Sequence, residues 1–290
     1  MSVLLATVFG RGFFSSESVH TALAVSAAVA LVSGSVGVFA VIRGQAFACE
    51  ALSDIGAAGA SAAFLAGVAA LWGFLLSAIG AAAVMELIGI QRPRGRDLAA
   101  GIVLGASLGL TALLLYLGTT VKSTTGATVT ILFGSLFAID PGTIPAIVAL
   151  SGLSLALILL VQRPLLLSSL NPELAAARGI PVRLIGATYL LALAVAVALS
   201  ALTIGAILGT ALLIGPAATA LRLTSRPGRA VAIAAAVGLA VTWLGIVLAY
   251  DSFNWPPKGH GWPLSFFVVA LVLVGYLLAR LPGVVRRRRR

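Results

Sequence analysis

From residue 20 to residue 281 the chain is a succession of apolar windows of about 20 residues, most of them separated by short breaks and two by longer segments at 119–142 and 162–181. Each window is long enough to cross the hydrocarbon core of a bilayer. In lipid every backbone N–H and C=O must find a partner within the chain, so only helices and closed barrels remain possible. Runs such as VRLIGATYLLALAVAVALSALTIGAILGTALLIG do not alternate apolar with polar residues, which excludes a barrel. Charged residues make up 9% of the chain and hydrophobic ones 60%, far from a soluble domain's balance. The expected fold class is therefore all-α, a polytopic transmembrane helix bundle forming one domain over residues 1–290.

The windows predict helices over His20–Ile42, Phe47–Ala66, Gly67–Ile90, Leu98–Gly118, Thr143–Val161, Val182–Leu202, Gly205–Leu221, Ala230–Tyr250 and Leu264–Leu281. That is nine spans, or eight if one of the short joins at Gly67 and Thr203-Ile204-Gly205 does not separate two crossings. Between Gly118 and Thr143 the stretch ATVTILFGSLFAID is too short to span and is expected to be re-entrant or interfacial. Abundant glycine and alanine, as in AIGAAAV and AIAAAVGLA, allow close helix packing.

Nineteen Lys and Arg against eight Asp and Glu give a net charge of +11. The basic residues lie in short loops and in the tail at 284–290 rather than on one face. That pattern reports positive-inside topology and argues against nucleic acid. Gln91–Asp97, Arg163–Arg183, Leu221–Arg229 and the terminal arginines are then cytoplasmic, as is Arg43, and the N-terminus is outside. The loop Asp251–Trp262, with two tryptophans and no arginine, suits the outer interface. The first twenty residues show no basic segment before an apolar core, so no cleaved signal peptide is expected.

Cys49 is the only cysteine, which excludes an internal disulfide or a multi-cysteine metal site. No GxxxxGK[ST] loop, HExxH motif or Ser/His/Asp grouping appears, so an enzyme with its own ATPase or hydrolase site is not expected. Glu50 and Asp54 stand at the start of a span, four residues apart. Residues i and i+4 share a helix face, with Cβ atoms about 5–6 Å apart, so one divalent cation could lie between the two. Carboxylates in a span normally face a bundle interior or a water-filled cavity. The position of Arg43 seven residues earlier leaves open the other reading, two solvated groups at the cytoplasmic interface. Glu86, near a span end, is expected to pair with Arg92. Asp251 and His260 in the outer loop could take part in handing over an ion or could simply be solvated. His20 is similarly open, and Pro216 is expected to kink its helix.

On the cytoplasmic side, residues 168–183 contain SSLNPELAAARGIPVR. Asn171 is a good N-cap, Pro172 fits the first helical position, and Glu173 complements the positive helix end. Gly179 and Pro181 stop the helix. Such a capped two-turn helix is either a docking element or a connector.

Three segments together resemble the membrane permeases of ABC importers for zinc, manganese and iron. They are EALSDIGAAG continuing through AFLAG, then NPELAAARGI, then GTALLIGPAATA, in the family's order and spacing. The resemblance covers nearly the whole chain and implies a type II ABC importer-like bundle in the bacterial cytoplasmic membrane. It implies a homodimer of this chain, separate cytoplasmic ATP-binding subunits and an extracytoplasmic metal-binding protein. It also implies no permanently bound cofactor, the metal ion being cargo. Residues 171–180 would be the coupling helix, with Pro172, Glu173, Ala177, Arg178 and Gly179 meeting the ATPase. Glu50 stands at the family's aspartate position and Asp54 at its histidine position, both of which are ligands in the ion path; Ala58 replaces a proline. Losing the imidazole favours harder ions, Mn²⁺ or Fe²⁺ over Zn²⁺. Alternatives are a permease for metal chelates such as siderophores, or an ion-coupled secondary transporter, although no internal repeat of the kind common there is evident.

Overall fold

The computed structural model describes residues 17–88, 93–121, 125–134, 136–255 and 261–288. Every regular element among them is helical: α1 (Glu17–Ile42), α2 (Ala46–Ala66), α3 (Ala70–Ile88), α4 (Pro93–Val121), α5 (Thr125–Phe133), α6 (Ile144–Leu170), α7 (Pro172–Ala177), α8 (Val182–Ile204), α9 (Ala206–Leu223), α10 (Pro227–Asp251) and α11 (Leu264–Arg288). Short 3₁₀ turns at Leu136–Ala138, Pro141–Thr143 and Ser252–Asn254 complete the path.

Seven of these helices are long and apolar enough to cross a membrane, namely α1, α3, α4, α6, α8, α9 and α10. Two more approach that standard. α2 has 21 residues, but Glu50 and Asp54 lower its hydropathy. α11 is apolar over Leu264–Arg280 and then becomes basic. The expected nine apolar segments are thus all helical, seven of them meeting the criterion for a span outright. The short joins also hold. Gly67 ends α2 in the left-handed conformation, its N–H bonded to Ala63 and Phe64 carbonyls.

Gly205 separates α8 from α9 with φ 102° and ψ 154°. That region is reserved for glycine, and the site is crowded as well. A methyl group at Gly205 would overlap the backbone of Leu132, Phe133 and Gly134, and one at Gly134 (φ 83°) would overlap Thr203–Gly205. The segment between α4 and α6, expected to be re-entrant or interfacial, is the nine-residue helix α5 followed by two 3₁₀ turns. Its Gly134 end seats directly on the α8–α9 break.

One expectation changes. The fifth predicted span ends not at Val161 but at Leu170, because the helix continues through Pro164. A single proline removes one N–H from the ladder, and in a bundle neighbouring groups compensate. Buried Leu165 and Ser168 then carry α6 directly to α7. α9 also continues through Pro216, which fixes its length and not whether the helix is kinked there.

Packing follows the small residues. α1 and α8 are each 72% buried across their apolar windows, against 22% for α4 and α6, so the former pair forms the centre. The buried run ALAVAVALSA in α8 presents mostly alanine and valine to its neighbours. Buried hydroxyls cross-link the centre: Ser33 and Ser200 share a 2.7 Å hydrogen bond, and Ser154 donates to the Ala192 carbonyl at 3.0 Å. α2 and α3 approach closely at Gly59 and Gly73, where an added methyl would strike the facing backbone.

Candidate functional site

Glu50 and Asp54 lie one turn apart on α2, both half-buried. Three hydroxyl bonds fix this turn against α9 and α4. Thr210 Oγ1 donates to Glu50 Oε2 at 2.8 Å, Ser53 Oγ donates to the Ala206 carbonyl at 2.7 Å, and Thr111 Oγ1 donates to the Asp54 carbonyl at 3.0 Å. Thr210 stands thirteen residues, roughly 20 Å, from the Leu223 end of α9. Glu50 is therefore held near the start of α9, well away from the Leu223 end of that helix. No three His, Cys, Asp or Glu side chains cluster among the described residues. The pair's chemistry is that of oxygen donors alone: two carboxylates and an adjacent hydroxyl.

In the turn that launches α2, Gln45 is buried while Gly44, Ala46 and Phe47 are exposed. The Arg43 guanidinium, half-buried, lies over the Tyr189 ring, 5.2 Å from its centroid. Arg43 Nη1 donates to Ser169 Oγ at 3.0 Å. Burial lowers the Arg43 pKa, and the nearby Tyr189 and Glu86 partly oppose that shift. Arg92, the expected partner of Glu86, lies outside the described residues. Ser169 is two residues before Asn171, so Arg43 links the start of the carboxylate helix to the start of α7.

α7 is built as its sequence predicts. Asn171 Oδ1 accepts from the Leu174 N–H at 2.9 Å, and Pro172 occupies the first position. At the other end the Ile180 N–H bonds the Ala175 carbonyl and the Gly179 N–H bonds the Ala176 carbonyl, with Gly179 at φ 75°. Ala175 is the buried contact with the bundle, while Pro172, Glu173, Ala177, Arg178 and Gly179 are all exposed. Exposure does not single out the five predicted coupling residues, since Leu174 and Ala176 between them are exposed as well.

At the opposite end a cavity of about 530 Å³ is lined by Phe133, Gly134, Thr203, Ala249, Phe253 and Trp262, among others. Trp262 packs edge-on against Trp255 and stacks on Phe267. Asp251 is 7% exposed and accepts a 3.1 Å hydrogen bond from Trp255 Nε1, so its carboxylate is engaged in holding this aromatic cluster. His260 lies outside the described residues, and His20 is exposed at the start of α1. Gly134 at the cavity wall abuts Gly205, and Thr210 is five residues, roughly 8 Å, further along α9.

Sequence reasoning placed the carboxylates on one face but missed Thr210, Ser53 and Thr111. Thr210 falls within the GTALL segment, where a hydroxyl in an apolar span was the available signal.

The model of the ABC 3 transport family matches residues 15–276. Among curated proteins, the manganese transport system membrane protein MntC of Listeria monocytogenes is 28% identical over 284 residues, 98% of each chain. MntC of Listeria innocua is 30% identical over 244 residues, covering 84% of this chain and 85% of the relative. The manganese import system permease protein ScaB of Streptococcus parasanguinis is 27% identical over 247 residues, 85% of this chain and 87% of the relative. Among solved structures, the PsaBC complex of Streptococcus pneumoniae with Fab contains a chain with TM-score 0.79 and 25% identity, each chain covered to 95%. An inward-facing metal-chelate type ABC transporter shares the fold, with TM-score 0.73, 16% identity and coverage of 97% and 94%.

Proposed function

Because the chain belongs to the ABC 3 transport family and is a metal ABC importer permease, we propose that its cargo is Mn²⁺, which Glu50 and Asp54 pass through the bundle. The observation that carries this reading is the carboxylate pair itself, half-buried and one turn apart, within an otherwise apolar assembly. Two like charges there repel and lose hydration, and a divalent ion offsets both costs. The oxygen-only donors suit a hard ion such as Mn²⁺ better than one that seeks nitrogen or sulfur. The relatives named for manganese support the same choice.

The cargo enters from the cavity beside Gly134 and leaves towards the face that carries α7. ATP hydrolysis occurs in separate subunits that dock on Pro172, Glu173, Ala177, Arg178 and Gly179, and two copies of this chain form the working unit. An extracytoplasmic binding protein delivers the ion, and no cofactor stays bound. Reconstitution with the ATPase and binding protein tests the reading. ATP-dependent accumulation of Mn²⁺ in preference to Zn²⁺, Fe²⁺ and ferric siderophores is expected. Accumulation without ATP, or of the chelate alone, contradicts it. The purified chain by itself is expected to hydrolyse no ATP.

A further inference from the structure

Buried threonines in a helix usually return their hydroxyl to the carbonyl four residues earlier. Thr203, Thr219 and Thr242 do so here, bonding Leu199, Gly215 and Gly238 at 2.9–3.0 Å. Thr210 does not, although it is only 8% exposed. The carbonyl it would use, that of Ala206, already accepts the Ser53 hydroxyl from α2. With the helix's own N–H, that fills both lone pairs of the Ala206 oxygen. The Thr210 hydroxyl is left to point across the helix gap, where it donates to Glu50 Oε2.

We infer that Thr210 is the positioning residue for Glu50, and that Ser53 directs it by occupying the Ala206 carbonyl. This inference rests on the reading that Glu50 meets the cargo. A glutamate has three rotatable side-chain bonds and loses up to about 2 kcal/mol of rotamer freedom when held in one place. Holding Oε2 in advance leaves Oε1 directed for an ion, so less ordering accompanies binding. The hydroxyl also comes from α9, the helix that begins at Gly205. Any movement of α9 about that glycine shifts Glu50 relative to Asp54, which stays anchored through Thr111 on α4.

The test is Mn²⁺ binding by the purified transporter complex, followed as loss of the free-ion EPR signal. Thr210→Val keeps the shape and removes the hydroxyl; it is expected to weaken Kd roughly tenfold, as loss of one hydrogen bond to a charged group implies. Thr210→Ser keeps the donor and is expected to stay within about twofold of wild type. Ser53→Ala leaves Thr210 intact but frees the Ala206 carbonyl, and it is expected to weaken Kd in the same direction as Thr210→Val. A purely structural role for Thr210 predicts no such effect from Ser53→Ala. Wild-type Kd in Thr210→Val or Ser53→Ala, with Glu50→Gln impaired, overturns this inference and spares the cargo path. Wild-type Kd in Glu50→Gln removes the path and the inference together. If Thr210→Val fails to reach the membrane, Ser53→Ala decides the matter by the same criterion.

Discussion

Asp54 stands where the family resemblance implies a histidine, and the structure gives this residue a setting. Its carboxylate shares a helix face with Glu50, and its backbone carbonyl is tied to α4 by Thr111. The spacing made the shared face legible from the sequence, since i and i+4 positions are neighbours on any helix. Depth was not legible, because seven residues from Arg43 could be interfacial or buried depending on how the turn packs. Arg43 turns out to lie half-buried against Tyr189 and Ser169, and Glu50 is held near the start of α9. Asp251 behaves differently. Its single-atom contact with Trp255 Nε1 makes it a holding group for the outer aromatic cluster. Asp251→Ala is expected to lower unfolding stability by about 1–3 kcal/mol, the cost of an unpaired buried donor. Mn²⁺ uptake at saturating ion should stay within about twofold of wild type; a stable variant that fails to transport would return Asp251 to the ion path.

At the scale of elements, capping chemistry was the most readable part of the sequence. Asn171, Pro172 and Gly179 each occupy the position their chemistry suits, and α7 forms where it was expected. Less readable was the length of α6, because Pro164 is a stop signal in isolation and becomes tolerable once neighbouring helices surround it. Asn171→Ala is expected to cost α7 about 1 kcal/mol by leaving the Leu174 N–H without its cap. Glu173→Lys removes an anionic group from an exposed helix start and adds the opposite charge to the proposed ATPase contact. Expression and thermal stability of Glu173→Lys should be unchanged while ATP-driven uptake falls at least about threefold. Unchanged uptake would place the docking surface elsewhere. Gly205→Val, in contrast, should prevent a stable fold, since the β-branched side chain meets both a disfavoured φ of 102° and the Gly134 backbone. Recovery of normally stable Gly205→Val protein from membranes would contradict the α8–α9 geometry.

For the molecule as a whole, hydropathy was enough to give an all-helical membrane protein, while the family resemblance rested on three motif segments in order. The number of crossings was blurred by the short joins at Gly67 and Thr203–Gly205, and α2 and α11 fall short of the apolar standard for different reasons. α11 turns basic after Arg280, whereas α2 carries the two carboxylates proposed to meet the cargo, which place it among the least apolar of the long helices. The cavity at one end, the exposed helix α7 at the other and the carboxylate pair between them give the chain a polarity that suits import driven from the cytoplasmic side. The most direct measurement of that account is ATP-driven Mn²⁺ uptake by the reconstituted complex containing wild type, Glu50→Gln or Asp54→Asn, with thermal stability checked in parallel. Each substitution removes one charge at nearly constant shape. Uptake is expected to fall at least about tenfold in either variant, equivalent to about 1.4 kcal/mol or more, with stability retained. Wild-type uptake in both stable variants would show that the ion does not travel by way of this pair.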